Sequence, residues 1–92
     1  MKLNCLMVTG SYDFEGFAVI DIFSEEDHLG AFSAVVDAMK PPVFYDSIEV
    51  IHYDYNKPGY PYNRKVTERW VRDWSEELDQ NVWIKKDIQY AN

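Results

Sequence analysis

The chain has 92 residues, 47% of them apolar and 16% aromatic, with a formal net charge of −7. That length holds one compact domain, expected to span residues 1–92, and that composition excludes a disordered chain, which would have few aromatics and weak periodicity. The single cysteine, Cys5, excludes an internal disulfide, and one cysteine with two separated histidines carries no zinc signature.

The longest apolar run is far short of the ~20 residues that a membrane-spanning helix needs. The start, "MKLNCLMVTG", lacks the length and cleavage site of a signal peptide, so a cytoplasmic location is expected. Charge is polarised along the chain. Residues 1–56 carry ten acids against two bases, a net −8, and residues 57–92 carry seven bases against six acids, a net +1. Such asymmetry bears on partners and association rate.

The predicted elements run as follows. "LNCLMVT", residues 3–9, reads as a strand bounded by Gly10, and "FAVIDIF", 17–23, as a second, central strand, with the turn-forming "GSYDFEG" between them making an antiparallel hairpin. "SEEDHLGAFSAVVDAMK", 24–40, reads as a helix with Ser24 as N-cap and acids in the first turn. Leu29, Phe32, Val36 and Met39 form its apolar stripe, and Pro41-Pro42 stops it. "SIEVIHYDY", 47–55, is a third strand. "RKVTERWVRDWSEELDQ", 64–80, reads as a second helix, because Val66, Trp70, Trp74 and Leu78 recur every four residues. "NVWIKKDIQY", 81–90, closes the chain as a strand. The order ββαβαβ predicts an α+β two-layer sandwich, with a mostly antiparallel four-stranded sheet and two helices packed on it.

Catalytic patterns are missing. The four glycines are scattered, so no phosphate-binding loop forms, and there is neither a nucleophile elbow nor a Cys–His signature. We expect no cofactor and no metal: "DFE" at 13–15 and "EED" at 25–27 offer carboxylates without the calcium-loop pattern. Two histidines can be weighed for acid–base chemistry. His28 stands among Glu25, Glu26 and Asp27 at a helix start, and reads either as a carboxylate-supported base or as a solvated residue. His52 and Asp54, two apart in a strand, share a face and read either as an oriented pair or as ordinary sheet residues. Asp21 breaks an otherwise apolar strand, and reads as an edge carboxylate bonded nearby or as a site marker.

The most specific stretch is "YNKPGYPYNRK", 55–65. Lys57, Tyr60, Tyr62, Arg64, Lys65, Arg69 and Arg72 describe a basic, tyrosine-lined segment, with Lys65, Arg69 and Arg72 on one face of the predicted helix. Tyrosine and arginine are frequent at interface hot spots, and bases interleaved with rings also suit RNA or DNA backbone. Asp13, Glu15, Glu25, Glu26 and Asp27 form a candidate acidic surface at the hairpin turn and helix start. It reads as phosphate mimicry or as plain solubility.

In size and charge, though in no motif, the chain is similar to small phage- or plasmid-encoded anti-CRISPR and antirestriction proteins and to bacterial immunity proteins. The expectation is a non-enzymatic inhibitor that docks on a protein or nucleoprotein complex and blocks nucleic acid access. The alternatives are a toxin-neutralising immunity protein using the acidic half alone, and a small α+β ligand-binding domain or enzyme with His52, Asp54 and Asp21 around a pocket.

Overall fold

A computed structural model of the chain describes residues 4–12, 16–41, 43–54 and 63–88. Its elements are β1 (Asn4–Tyr12), β2 (Gly16–Ser24), α1 (His28–Met39), β3 (Ser47–Asp54), β4 (Arg64–Ser75) and β5 (Gln80–Lys86). The strands form one five-stranded sheet in the order β2-β1-β3-β4-β5, antiparallel throughout. The expected sandwich of four strands and two helices is therefore wrong: this is a five-stranded sheet with one short helix.

The error lies in residues 64–80. A spacing of four suits a helix turn, but it is also even, so it equally places residues on one side of a strand. The segment's Val66, Thr67, Trp70, Val71 and Trp74 are β-branched or aromatic and fit a pleated surface better than a helix. Glu76–Asp79 make the turn that returns the chain into β5, with Asp79 in the left-handed region at φ 53°. A bulge at Thr67 then moves Val66 and Trp70 to opposite faces: Val66 pairs with Ile51, whereas Glu68 pairs with Val50 and Trp70 with Ile48.

The hairpin of β1 and β2 and the strand β3 match the expected elements. The central position belongs to β3, flanked by β1 and β4, and the 17–23 segment expected to be central is the sheet edge, beside β1. A register shift opposite Val8 and Thr9 marks a bulge in β2, a common device on edges.

One sheet face carries α1. Leu6 and Val8 of β1 and Ile48 and Val50 of β3 pack there against Ala31 and Val35, with Ile20, Phe23, Trp70 and Trp83 around them. The helix begins four residues later than Ser24, because β2 pairs as far as Ser24 and a tight turn follows, with Asp27 N–H donating to the Ser24 carbonyl at 3.0 Å. Asp27 is the N-cap, its carboxylate accepting from Gly30 N–H at 2.9 Å. The stripe that meets the sheet is made of small residues, Ala31, Ala34, Val35 and Ala38, joined by Met39. Of the expected stripe, only Met39 packs on the core. Leu29, Phe32 and Val36 are 85%, 56% and 38% exposed.

The opposite face also buries Cys5, Thr9 and Ile51. That face is concave. The Arg64 guanidinium lies 5.8 Å from the centroid of the Phe17 ring, although β4 and β2 are separated by two strands, so the coiled sheet brings opposite corners together. Between α1 and β3 the chain crosses the end of the sheet. Asp46 N–H donates to Ser11 C=O at 2.8 Å and Asp46 C=O accepts from Arg72 N–H at 2.9 Å. This pins Tyr45 against Gly10, with the ring of Tyr12 5.1 Å away.

Candidate docking groove

The helix packs on β1, β2 and β3. Beside it, over β3 and β4, runs a groove of about 670 Å³. Its apolar wall is Leu29 and Phe32, its floor includes Leu6 and Val50, and its polar rim holds His28, His52, Lys65 and Glu68. A concave, mostly apolar hollow with a few polar groups is the ordinary form of a recognition site.

The rim is ordered by one carboxylate. Glu25 Oε2 lies 3.2 Å from His52 Nε2 and accepts from Asn4 Nδ2 at 3.1 Å. A carboxylate only accepts here, so His52 Nε2 carries the hydrogen. Glu25 thereby ties the β2–α1 turn to β1 and β3. The expected trio of His52, Asp54 and Asp21 is not brought around this groove. His52 is in it, bonded to Glu25, whereas Asp21 is exposed on the edge strand and accepts from its own neighbour, Ile22 N–H, at 2.8 Å. Glu25 was legible only as part of an acidic helix start; its pairing with residue 52 is a tertiary fact that no local spacing carries.

The basic residues are divided by the strand. Lys65 pairs with His52 on the helix side, and Arg69 pairs with Glu49 on the concave face. Arg69 lines a smaller hollow of about 380 Å³ with Asp87 there. Arg72 returns to the helix side and binds Asp46 at 2.7 Å. Arg64 faces Phe17 on the concave side. The single basic face expected for Lys65, Arg69 and Arg72 thus does not form. Lys57, Tyr60 and Tyr62 lie outside the described residues.

The acidic residues are also spread. Glu26 is exposed, Asp27 caps α1 and Glu25 holds His52. Asp13 and Glu15 lie outside the described residues, but their flanking Tyr12 and Gly16 stand at the far end of β2 from Ser24. The described strand ends Tyr12 and Gly16 and the helix start therefore lie toward opposite ends of β2. Among the described residues no three His, Cys, Asp or Glu side chains are grouped to hold a metal, and no helix is long and apolar enough to cross a membrane.

The proton affinity of the Tyr45 hydroxyl departs from the ordinary. Burial raises its pKa first, and the hydrogen bond and charge of Tyr12 add to the rise. It sits at the sheet end, away from the groove lining.

Sequence patterning missed the groove wall because it assigned Leu29, Phe32 and Val36 to the core. Comparison with protein-family models, with curated proteins and with solved structures finds no match.

Proposed function

We propose that this chain is a non-catalytic inhibitor-type module that inserts α1 into a basic, apolar-lined cleft of a nucleic-acid-binding complex and so blocks nucleic acid access. The observation that carries the reading is the outward stripe of Leu29, Phe32 and Val36 on a helix that turns Ala31, Ala34, Val35, Ala38 and Met39 to the sheet. Apolar side chains at i, i+3 and i+7 are what a groove reads on a docked helix. The stripe stands in the half of the chain that carries net −8, with Glu26 and Asp27 exposed at its start. Carboxylates around apolar anchors complement a cleft built for phosphates, and they speed encounter with it. With its bases divided between two faces, β4 supports a lesser part in this contact than the acidic half.

The test is stoichiometric. A complex captured from bacterial lysate on the wild-type protein is assayed for binding of a labelled oligonucleotide, with and without added protein. Oligonucleotide binding is expected to fall to zero near one equivalent. It is expected to persist with the Leu29→Lys, Phe32→Lys variant and to be blocked normally by Lys65→Glu, Arg69→Glu. Unchanged oligonucleotide binding at saturation, or an equally potent stripe variant, would overturn the proposal.

A further inference from the structure

We infer that in the free protein the α1 stripe is covered by a second copy of the chain, each helix lying on the β4–β5 half of its partner's sheet in a two-fold dimer. The inference rests on reading the stripe as a contact surface.

Two incomplete surfaces exist in each molecule. The first is α1, whose stripe of Leu29, Phe32 and Val36 meets no sheet of its own. The second is the helix-side face of β4 and β5. The described residues contain one helix, and it packs on β1, β2 and β3. Over β4 and β5 the same face presents all three tryptophans of the chain: Trp70 and Trp74 alternate along β4, and Trp83 pairs with Arg72 between them. Trp74 is 54% exposed, while Trp70 and Trp83 are half-buried at the edge of the core. A strand spacing of about 4.8 Å and a helix diameter of about 10 Å mean that one helix covers two to three strands. Among the described residues, the part of this face over β4 and β5 that no helix covers is therefore one helix wide.

Charge selects the occupant. Lys85 lies over the Trp70 ring at 5.5 Å and pairs with Glu68 at 3.1 Å, Arg72 pairs with Asp46 at 2.7 Å, and Lys65 shares this face. The three bases against two acids leave an aromatic floor with a small positive excess, which a helix with an apolar stripe and an acidic start fits. α1 is such a helix, following Glu25, Glu26 and Asp27. Because every copy carries both the helix and the floor, one two-fold axis satisfies both contacts at once, as an isologous interface requires. The net charge of −7 opposes self-association in general, but the −8 and +1 halves would face each other in this arrangement, so the polarisation favours this pairing over others.

Sedimentation velocity on the full chain from about 1 to about 200 µM tests it. A monomer–dimer equilibrium is expected, accompanied by a concentration-dependent blue shift of tryptophan emission, since all three rings report on the interface. Leu29→Lys with Phe32→Lys is expected to weaken the dimer by more than about tenfold. Lys85→Glu, which sets acid against acid, is expected to weaken it by about tenfold and to leave docking of α1 on a heterologous complex intact. Circular dichroism confirms that each variant is folded. A wild-type monomer at every concentration, or a dimer that both variants leave unchanged, would overturn the inference. Neither result touches the oligonucleotide assay, so the docking proposal stands or falls separately.

Discussion

Gly10 faces the ring of Tyr45 on the helix side of β1, and replacing it with alanine tests the packing of the sheet end directly. A Cβ built there would lie 2.3 Å from Tyr45 Cδ1 and 2.6 Å from both Cε1 and Cγ. Ordinary contact begins near 3.4 Å, so the ring has to withdraw by a little over 1 Å. It has little freedom to do so. The ring of Tyr12 lies beside it at 5.1 Å, tilted by 41°, and the next residue, Asp46, is bonded through its backbone to Ser11 and Arg72. Overpacking of this kind costs about 1–3 kcal/mol. The backbone of Gly10 is not left-handed, so alanine by itself would stabilise by about 0.4–1 kcal/mol through the unfolded state.

The two effects have opposite signs, which makes the outcome decisive. Gly10→Ala is expected to lose about 1–2 kcal/mol in urea unfolding, or about 5–15 °C in Tm for a chain of this size. On a Tyr45→Ala background the same change is expected to be neutral or stabilising, giving a coupling energy above about 1 kcal/mol in the double-mutant cycle. A Gly10→Ala protein as stable as wild type would refute the close approach of ring and backbone.

Other consequences are as direct. Val35→Ala, at a site 1% exposed, is expected to cost about 2 kcal/mol, whereas Leu29→Ala stays within about 0.5 kcal/mol; urea melts that reversed this order would turn the helix over. Asp79→Gly relieves a left-handed non-glycine residue and is expected to stabilise by up to about 1 kcal/mol. In the helix that spacing alone suggests, the same change would destabilise, so thermal melts decide between the two. Asp46→Ala removes the half-exposed carboxylate that binds Arg72 and is expected to cost about 1 kcal/mol or less, with the cost shrinking in high salt. The raised pKa of Tyr45 means that its neutral form is favoured in the folded state. Its contribution is fully present below the unfolded pKa of about 10 and is lost as pH rises through the folded value. The alkaline fall in stability is expected to be shallower in Tyr45→Phe.

How much of this was legible follows from which signals are local. The hairpin of β1 and β2 announced itself by apolar runs around turn residues, and β3 by its composition. α1 was legible in existence but not in orientation. Its sequence carries two apolar stripes, 29–32–36–39 and 31–34–35–38, and patterning by size prefers the larger. The sheet selects the smaller, because alanines let the helix approach the pleated surface closely. β4 was misread because an even spacing fits two periods, and no local signal arbitrates except β-branched and aromatic enrichment. The sheet order, the bulges and the Glu25–His52 contact join residues distant in sequence, and nothing in a single chain's periodicity specifies them.

The same ambiguity that misled the helix assignment carries the functional argument. A helix whose purpose ended at the sheet would need one apolar stripe and a polar remainder. Here the remainder holds Leu29 and Phe32, and exposed side chains of that size gain nothing for the fold. In a chain of 92 residues, whose margin of stability is small, they also raise the risk of nonspecific association. The two proposals offer a return on that risk: a second copy in the resting protein and a basic cleft in the target. If both hold, the target must displace the dimer partner. Apparent affinity for the target should then fall as the concentration of the module rises above its dimer dissociation constant. Titrating the target at two module concentrations, one on either side of that constant, measures this coupling. Identical apparent affinities would mean that the two contacts use different surfaces.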